Sequence, residues 1–436
     1  VSNNSTRISN GIDAAKDIDG GMHLLMQKLI RDDGKALATL SNGMLILSGD
    51  PNLRGMLGYD EFSSQHLLMR APPVSEAGDM PLPGPYPRPW TPADVAYVQA
   101  YLQRVHAPRY NRQNTEDAML AEAEKRRFHP VRDWLNGLKW DGFSRIDEWL
   151  SRAFGAPKDS YTRAVGAKFL IAAVRRVRQP GCKFDTVPVL EGGQGIGKSR
   201  AVKALFGESW FSDAMPDDLA GKDAAMALLG VWGLEWGEIE QLIRSEPETV
   251  KAFLSRGVDR YRPPYGKAYI ERPRQGVLIG TTNAQDYLRD ITGNRRIWPI
   301  SCQHADPDWV AENREQLWAE AAARERAGEA LWIDDEEAQK TAVTAQNERM
   351  IEDVWTDHVR KILFNRTYVT VAEILSHLNV PRERQGKREQ MRVGAILTSE
   401  GWKRRSEWSG SKTYRVWRLP APENPTTLPL PEAPND

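Results

Sequence analysis

Glu191-Gly-Gly-Gln-Gly-Ile-Gly-Lys-Ser199 places Gly192, Gly197, Lys198 and Ser199 at the four fixed positions of G-x-x-x-x-G-K-[ST], the spacing of a loop that wraps phosphates. Before it, Thr186-Val-Pro-Val-Leu190 is an apolar run that reads as a buried strand. After it, Ser199 to Phe206 reads as a helix. Strand, loop and helix in that order are the context the motif needs. Glycines let the backbone curl so that successive N–H groups converge, and the positive end of the helix adds its dipole. Gly192, Gly193, Gln194, Gly195, Ile196, Gly197, Lys198, Ser199 and Arg200 are therefore the expected nucleotide-binding stretch. Lys198 is expected to reach the β and γ phosphates and Ser199 to hold Mg²⁺, which makes ATP and Mg²⁺ the expected ligands.

The chain has 436 residues, room for about two to four domains. Lysines and arginines total 59, as do aspartates and glutamates, so any attraction to nucleic acid must come from local clustering. Cys182 and Cys302 are the only cysteines, and without a C-x-x-C they argue against a zinc ribbon or a disulfide framework. A reducing cytoplasm fits that usage. No apolar run approaches a membrane span, and Asn3-Asn4-Ser5-Thr6 is not the apolar core of a signal peptide, so no membrane partner is expected.

Residues 1–90 read as a small α+β unit with a short strand at Met44-Leu-Ile-Leu47, closed by a proline-dense linker from Pro72 to Pro89. Residues 91–180 read as a helical lead-in, opened by Thr91-Pro92-Ala93-Asp94 as a helix cap. An ATPase core is expected over 181–340. Within it, the acidic and alanine-rich stretch Asp306 to Glu337 reads as a solvated helical face. Residues 345–420 read as helix, helix, helix, hairpin, the order of a winged helix, and 421–436 as a proline-rich disordered tail.

Hydrolysis needs carboxylates on a neighbouring strand to hold the metal and polarise water. Leu228-Leu-Gly-Val-Trp-Gly-Leu234 is an apolar run ending in Glu235, with Glu238 and Glu240 beyond. Acids at a strand's C-terminal end face the phosphate loop in an open α/β sheet. Glu235 is expected beside the metal and Glu238 as the activator of water, the two roles being exchangeable. Gly276-Val-Leu-Ile-Gly-Thr-Thr-Asn283 is a further strand, and the Asn283 amide can donate and accept at once, as orienting a water requires. Thr292-Gly-Asn-Arg-Arg-Ile-Trp-Pro299 then carries adjacent Arg295 and Arg296. An arginine supplied across a subunit boundary neutralises charge on a transferred phosphate, and nothing in the sequence chooses between the two.

Four separated stretches carry a resemblance. Phe128-His-Pro-Val-Arg-Asp-Trp-Leu-Asn-Gly-Leu-Lys-Trp-Asp-Gly142, Gly181 to Ser199, Thr281-Thr-Asn283 and Gly293-Asn-Arg-Arg296 stand in the order found in the virulence-associated E family. These are phage and prophage ATPases similar to superfamily-three helicases, and the chain resembles them over about residues 125 to 300. The resemblance implies an AAA+ type core, a ring of subunits, ATP with Mg²⁺, and a role in phage or mobile-element DNA replication. It also supports Glu235, Glu238, Asn283 and the arginine pair in their roles. Trp236 and Ile297 depart from it, standing where a smaller aliphatic and a phenylalanine are expected. Many relatives carry a primase ahead of this core. The N-terminal unit shows no zinc site and no acidic polymerase triad, so priming is not expected here.

Asp259 to Arg274 reads as a hairpin about Pro263-Pro264 and Gly266. The resemblance to superfamily-three helicases makes it pore-lining, with Tyr265 and Lys267 as DNA contacts. A cation on phosphates and a ring on bases suit a surface that must hold any sequence. Arg260, Arg262, Arg272 and Arg274 are alternatives that would face a neighbouring subunit's nucleotide. The second expected DNA surface is the winged helix, through Arg388 and Arg392 on its third helix and Lys403, Arg404, Arg405 and Lys412 on its hairpin. Protein docking remains the other use of that module.

Together these readings describe an α/β chain: an AAA+ P-loop core with an α-rich N-terminal region and a C-terminal winged helix. The expected role is an ATP-dependent helicase of phage or prophage replication in the cytoplasm of a bacterial host. Its expected partners are single-stranded and forked DNA, further copies of itself in a hexameric ring, and a separate primase or replication initiator. Two rivals stay open: a nucleotide-switched DNA-binding module, such as a helicase loader or origin regulator, and a DNA-stimulated ATPase that remodels DNA without unwinding it.

Overall fold

The structure is a computed structural model that describes residues 24–73, 84–216, 218–263, 268–288, 294–351, 353–409 and 412–419. Near its N-terminus, the Thr39 hydroxyl accepts from the N–H of Asn42 and starts α1 (Leu40–Gly49). Met44 to Leu47, expected as a strand, is therefore helical. Four apolar residues in a row carry no period of their own, and the upstream cap decides the matter by putting Asn42, Gly43, Ile46 and Leu47 on one buried face.

β1 (Leu57–Asp60) pairs with β2 (Gln65–Leu68), α2 (Pro92–Val105) and α3 (Arg112–Lys125) follow, and β3 (Arg127–Phe128) pairs parallel with β1. Thr91 and Asp94 close the expected capping box at the start of α2. Leu25, Ile46, Leu57, Leu68, Val98, Leu102, Ala118 and Met119 share one hydrophobic cluster. The division expected at residue 90 thus runs through the middle of a packed unit. The helical lead-in is split as well, because the helices after Phe128 pack elsewhere: α4 (Pro130–Gly137) and α5 (Ser160–Arg178) join the cluster beneath a second sheet.

That sheet is built from β4 (Val187–Glu191), with α6 (Lys198–Phe206) after it, β5 (Phe211–Ser212), β6 (Gly233–Gly237), β9 (Val277–Thr282) and β10 (Ile297–Ser301). A hairpin of β7 (Val258–Tyr261) and β8 (Ile270–Pro273) precedes β9. The sheet order is β10-β4-β9-β6-β5, all parallel. Both faces are covered, as a parallel sheet requires. Val277 and Ile279 enter one cluster with Leu170, Val202 and Leu317, while Leu278 enters another with Ile243 and Phe253. Leu234 and Trp236 belong to the second cluster, so period-two alternation turns Glu235 towards the face that carries α6. Trp236 fills its place edge-on to Phe253, with ring centroids 6.2 Å apart.

α7 (Pro307–Arg326) and α8 (Glu336–Glu348) complete this unit. α7 is not the solvated face expected from its composition, since it buries Val310, Leu317, Trp318, Ala321 and Ala322. Its alanines admit close helix packing, and its buried Glu320 accepts from the N–H groups of Arg145 and Ile146 and from the Ser144 hydroxyl.

The C-terminal unit comprises α9 (Thr356–Leu363), β11 (Tyr368–Val369), α10 (Val371–His377), α11 (Lys387–Ser399), β12 (Lys403–Ser409) and β13 (Lys412–Arg418). Its antiparallel strands lie in the order β11-β13-β12. They cover Val359, Ile374, Leu375, Val393, Leu397 and Trp402. The tail expected over 421–436 lies outside the described residues. Among those described, no helix is long and apolar enough to cross a membrane.

The hairpin corrects one arginine assignment. Arg274 is buried and forms a two-pronged ion pair with Asp259, at 2.7 and 2.9 Å, while donating to the Phe253 carbonyl. It is a structural cation with no face left for a neighbour's nucleotide. Arg274→Ala should cost about 3–5 kcal/mol by leaving the buried Asp259 with the longer contact to Arg256, at 3.3 Å, in place of the two-pronged pair. Arg260→Ala, at an exposed position, should stay within about 0.5 kcal/mol. Urea unfolding of both variants checks the contrast.

Candidate nucleotide site

Three neighbouring strands end at one edge of the parallel sheet, and each delivers part of the site. β4 leads into the glycine loop, β6 carries Glu235, and β9 leads to Asn283. Pairing of Ile279 with Glu235 and of Thr282 with Glu191 puts these ends level.

The loop's shape follows from its glycines. Gly195 and Gly197 have φ of 79° and 99°, where a side chain is strained, and Gly197 is the residue from which α6 starts. At Gly192 the constraint is space, since a Cβ there would sit 2.6 Å from the Cys302 carbonyl oxygen. Gly193, Gln194, Gly195, Ser199 and Arg200 are exposed, while Ile196 is half-buried and packs against the core. The first-turn N–H groups of α6 have no acceptor within the helix, which leaves them available to an anion.

Lys198 is buried and bends back over the loop. Its Nζ donates to the Gly192 carbonyl at 2.7 Å, the Gly193 carbonyl at 3.0 Å and Asn283 Oδ1 at 3.2 Å. Burial lowers its pKa from the ordinary lysine value, against the pull of Cys302 and Glu235. Glu235 is 2% exposed. Its Oε1 accepts from the Ser199 hydroxyl at 2.6 Å and the Thr281 hydroxyl at 2.8 Å. Its Oε2 is buried and has no partner among the described residues. An orphaned carboxylate oxygen beside a serine hydroxyl is a fitting donor set for Mg²⁺, which takes one or two protein oxygens and completes its octahedron with water and phosphate. No cluster of three or more His, Cys, Asp or Glu exists among the described residues, so an all-protein metal cage is not on offer there. Burial raises the Cys302 thiol to about 12, so it stays protonated beside the loop.

The other expected site residues lie apart. Glu238 stands just past β6, exposed, at φ 50°, and accepts from the Gln241 amide. It does not join the cluster of Lys198, Ser199, Glu235 and Asn283. Arg296 is held by Asp185 at 3.1 Å, whereas Arg295 is exposed. Both sit at the start of β10, the opposite edge from the loop. Tyr265 and Lys267 lie outside the described residues. Arg388, Lys403, Arg404 and Arg405 are exposed on the C-terminal unit, and the Lys412 side chain is outside the description. Arg392 is not a free DNA contact. It forms a two-pronged pair with Asp353 at 2.6 and 2.8 Å, and its guanidinium lies 3.8 Å from the Trp355 ring centroid.

Thr281, Glu191 and the latter's partners Tyr287 and Arg349 escaped the sequence reading. Thr281 was legible as a strand residue but not as a donor to Glu235. Glu191 accepts from Arg349 and from the Tyr287 hydroxyl, and no spacing in the chain signals a partner 158 positions away. A cleft of about 240 Å³ lined by Tyr59, Arg127, His129, Arg132, Arg272 and Gln275 contains none of the loop residues.

Gly192→Ala should cost about 1–3 kcal/mol by overpacking against a backbone oxygen that cannot turn away. Gly195→Ala meets nothing within 4 Å and should cost only the positive φ, about 1–2 kcal/mol. No loss of stability in Gly192→Ala on thermal unfolding would contradict the packing argument.

Residues 135–351 match the family model described as the virulence-associated protein E-like domain. No curated protein matches the chain. A solved apo structure of the NrS-1 C-terminal region (305–718) is similar at TM-score 0.43 and 11% identity, covering 84% of this chain and 96% of that one. An A-form apo structure of the NrS-1 C-terminal region is similar at TM-score 0.36 and 14% identity, covering 66% and 78%. The resemblance carried by the separated motifs is met by this match, and residues 135–351 are similar to the virulence-associated protein E-like domain.

Proposed function

We propose that this chain is an ATP-hydrolysing helicase of phage or prophage DNA replication, with an AAA+ type core that works as a homo-oligomeric ring on single-stranded and forked DNA. The observation that carries the reading is the meeting of Lys198, Ser199, Glu235 and Asn283 at one sheet edge around a buried, unpartnered carboxylate oxygen. The virulence-associated protein E-like domain supports the replication context. On this reading the loop N–H groups and Lys198 bind the triphosphate, and Ser199 and Glu235 hold Mg²⁺. Bound there, Mg²⁺ supplies charge neutralisation at the phosphate oxygens. Asn283 orients the attacking water, and Glu238, exposed at the same edge, accepts its proton.

Arg295 is our choice for the finger. The run from Ile297 to Ser301 covers about 13 Å at roughly 3.3 Å per residue, so an arginine before β10 is remote from its own loop and suits a neighbour's. Arg296 is occupied by Asp185. We read the C-terminal unit as a winged helix that contacts DNA phosphates through Arg388, Lys403, Arg404 and Arg405. Tyr265 and Lys267 keep their proposed place in the pore. One observation favours a second reading: Glu238 stands clear of the cluster, as suits a module that binds nucleotide and switches without turning it over.

Phosphate release with and without single-stranded DNA, paired with strand displacement on a fork, tests the proposal. Glu235→Gln should lower turnover about a hundredfold or more while nucleotide still binds, and Lys198→Ala should lose both. Chelation of Mg²⁺ should abolish hydrolysis. Nucleotide binding with no turnover in the wild-type chain would support the switched module instead. Mixing Arg295→Ala subunits with Lys198→Ala subunits should restore part of the activity, and no recovery at any ratio would remove the finger from Arg295.

A further inference from the structure

Residues 346–351 and 353–355 lie between the nucleotide unit and the basic C-terminal unit, and they bond to residues of both. Arg349 Nε lies 2.9 and 3.1 Å from the two Glu191 carboxylate oxygens, and its Nη2 lies 2.8 Å from Oε2. Glu191 is the last residue before Gly192, so the guanidinium grips the point where the strand becomes the loop. The Tyr287 hydroxyl donates to the same carboxylate at 2.8 Å, and Arg349 Nη2 also donates to Ser301. Two charges held this closely in a mostly buried place stabilise one another and raise the arginine's pKa above its ordinary value.

The backbone is tied down as well. The N–H groups of Tyr287 and Leu288 both donate to the Arg349 carbonyl, and the N–H of Ile351 donates to the Leu288 carbonyl. Leu288 and Met350 thereby form a parallel bridge beyond Asn283. One turn earlier, the Gln346 amide donates to the Ile297 carbonyl at the start of β10. Past the bridge, Asp353 holds Arg392 of α11 in the two-pronged pair already described, and Trp355 lies against the same guanidinium. Three residues of chain, 350–352, therefore separate a grip on the phosphate loop from a grip on the basic helix, with both ends fastened by charge.

We propose that Arg349 is a positioning residue that fastens the entry of the phosphate loop to the segment carrying the C-terminal unit, so that nucleotide at the loop and DNA at the unit change one another's affinity. This rests on the reading that both ligands bind. Coupling of this kind is reciprocal and amounts to about 5- to 150-fold in affinity.

The test is fluorescence anisotropy of a labelled oligonucleotide with the full-length chain, with and without Mg²⁺ and a non-hydrolysable ATP analogue. Affinity for the analogue is measured separately without DNA. The wild-type chain should bind oligonucleotide with affinities differing about tenfold between the two conditions. Arg349→Ala should bind the analogue more weakly and bring that ratio near one, and Arg349→Lys should recover part of it. If Arg349→Ala does not fold by its melting curve, Asp353→Ala breaks the other end of the link. It should flatten the ratio while leaving analogue affinity without DNA unchanged. A wild-type chain that binds both ligands with no difference in affinity overturns this inference and leaves the nucleotide reading standing. So does retention of the full ratio in Arg349→Ala and Asp353→Ala. A wild-type chain that binds no analogue overturns both.

Discussion

The hydroxyl of Ser199 donating to Glu235 is the contact on which the rest of the site depends. It joins the first turn of α6 to β6, across the intervening strand β9, whose Thr281 donates to the same oxygen. Three separate chain segments are thereby brought to one carboxylate. That carboxylate sits inside the protein with one oxygen that has no partner among the described residues, and this is the observation on which we propose a bound cation. The Lys198 amine, a residue away on the helix and bonded to Asn283, adds the positive side of the same charge pattern.

The parallel sheet is what makes this convergence possible. Alternation along β6 sends Leu234 and Trp236 to one side and Glu235 to the other, so a single acidic residue is buried without disturbing the hydrophobic layer on its far side. The same sheet keeps Arg295 and Arg296 at its opposite edge, where Asp185 occupies one of them.

Much of the site was legible because its residues obey local rules. The glycine spacing, the apolar runs and the polar residues that end them are consecutive in the chain, and the structure brings Lys198, Ser199, Glu235 and Asn283 together as that order suggests. Glu238 was expected beside them on the same logic, but it follows the strand in a left-handed conformation, is exposed and accepts from Gln241 instead. The pairs that were not legible are those set by tertiary packing. Arg274 with Asp259 and Arg392 with Asp353 both look, in sequence, like cations waiting for phosphate. Met44 to Leu47 shows the same limit at the level of secondary structure, since a run of apolar residues takes its shape from the cap before it and the helices around it. The Glu191–Arg349 pair has no local signature at all.

The placement of loop and exposed arginine on opposite rims of one sheet bears on symmetry. In a two-fold pair every contact is made twice, so an Arg295 that met its partner's loop would also set its own loop against the partner copy's matching arginine. If the contact is head-to-tail instead, it uses one rim from each molecule and leaves the other rim of each unmatched. Head-to-tail addition then closes into a ring where the rotation between neighbours returns the last free rim to the first, and runs on as a filament where it does not.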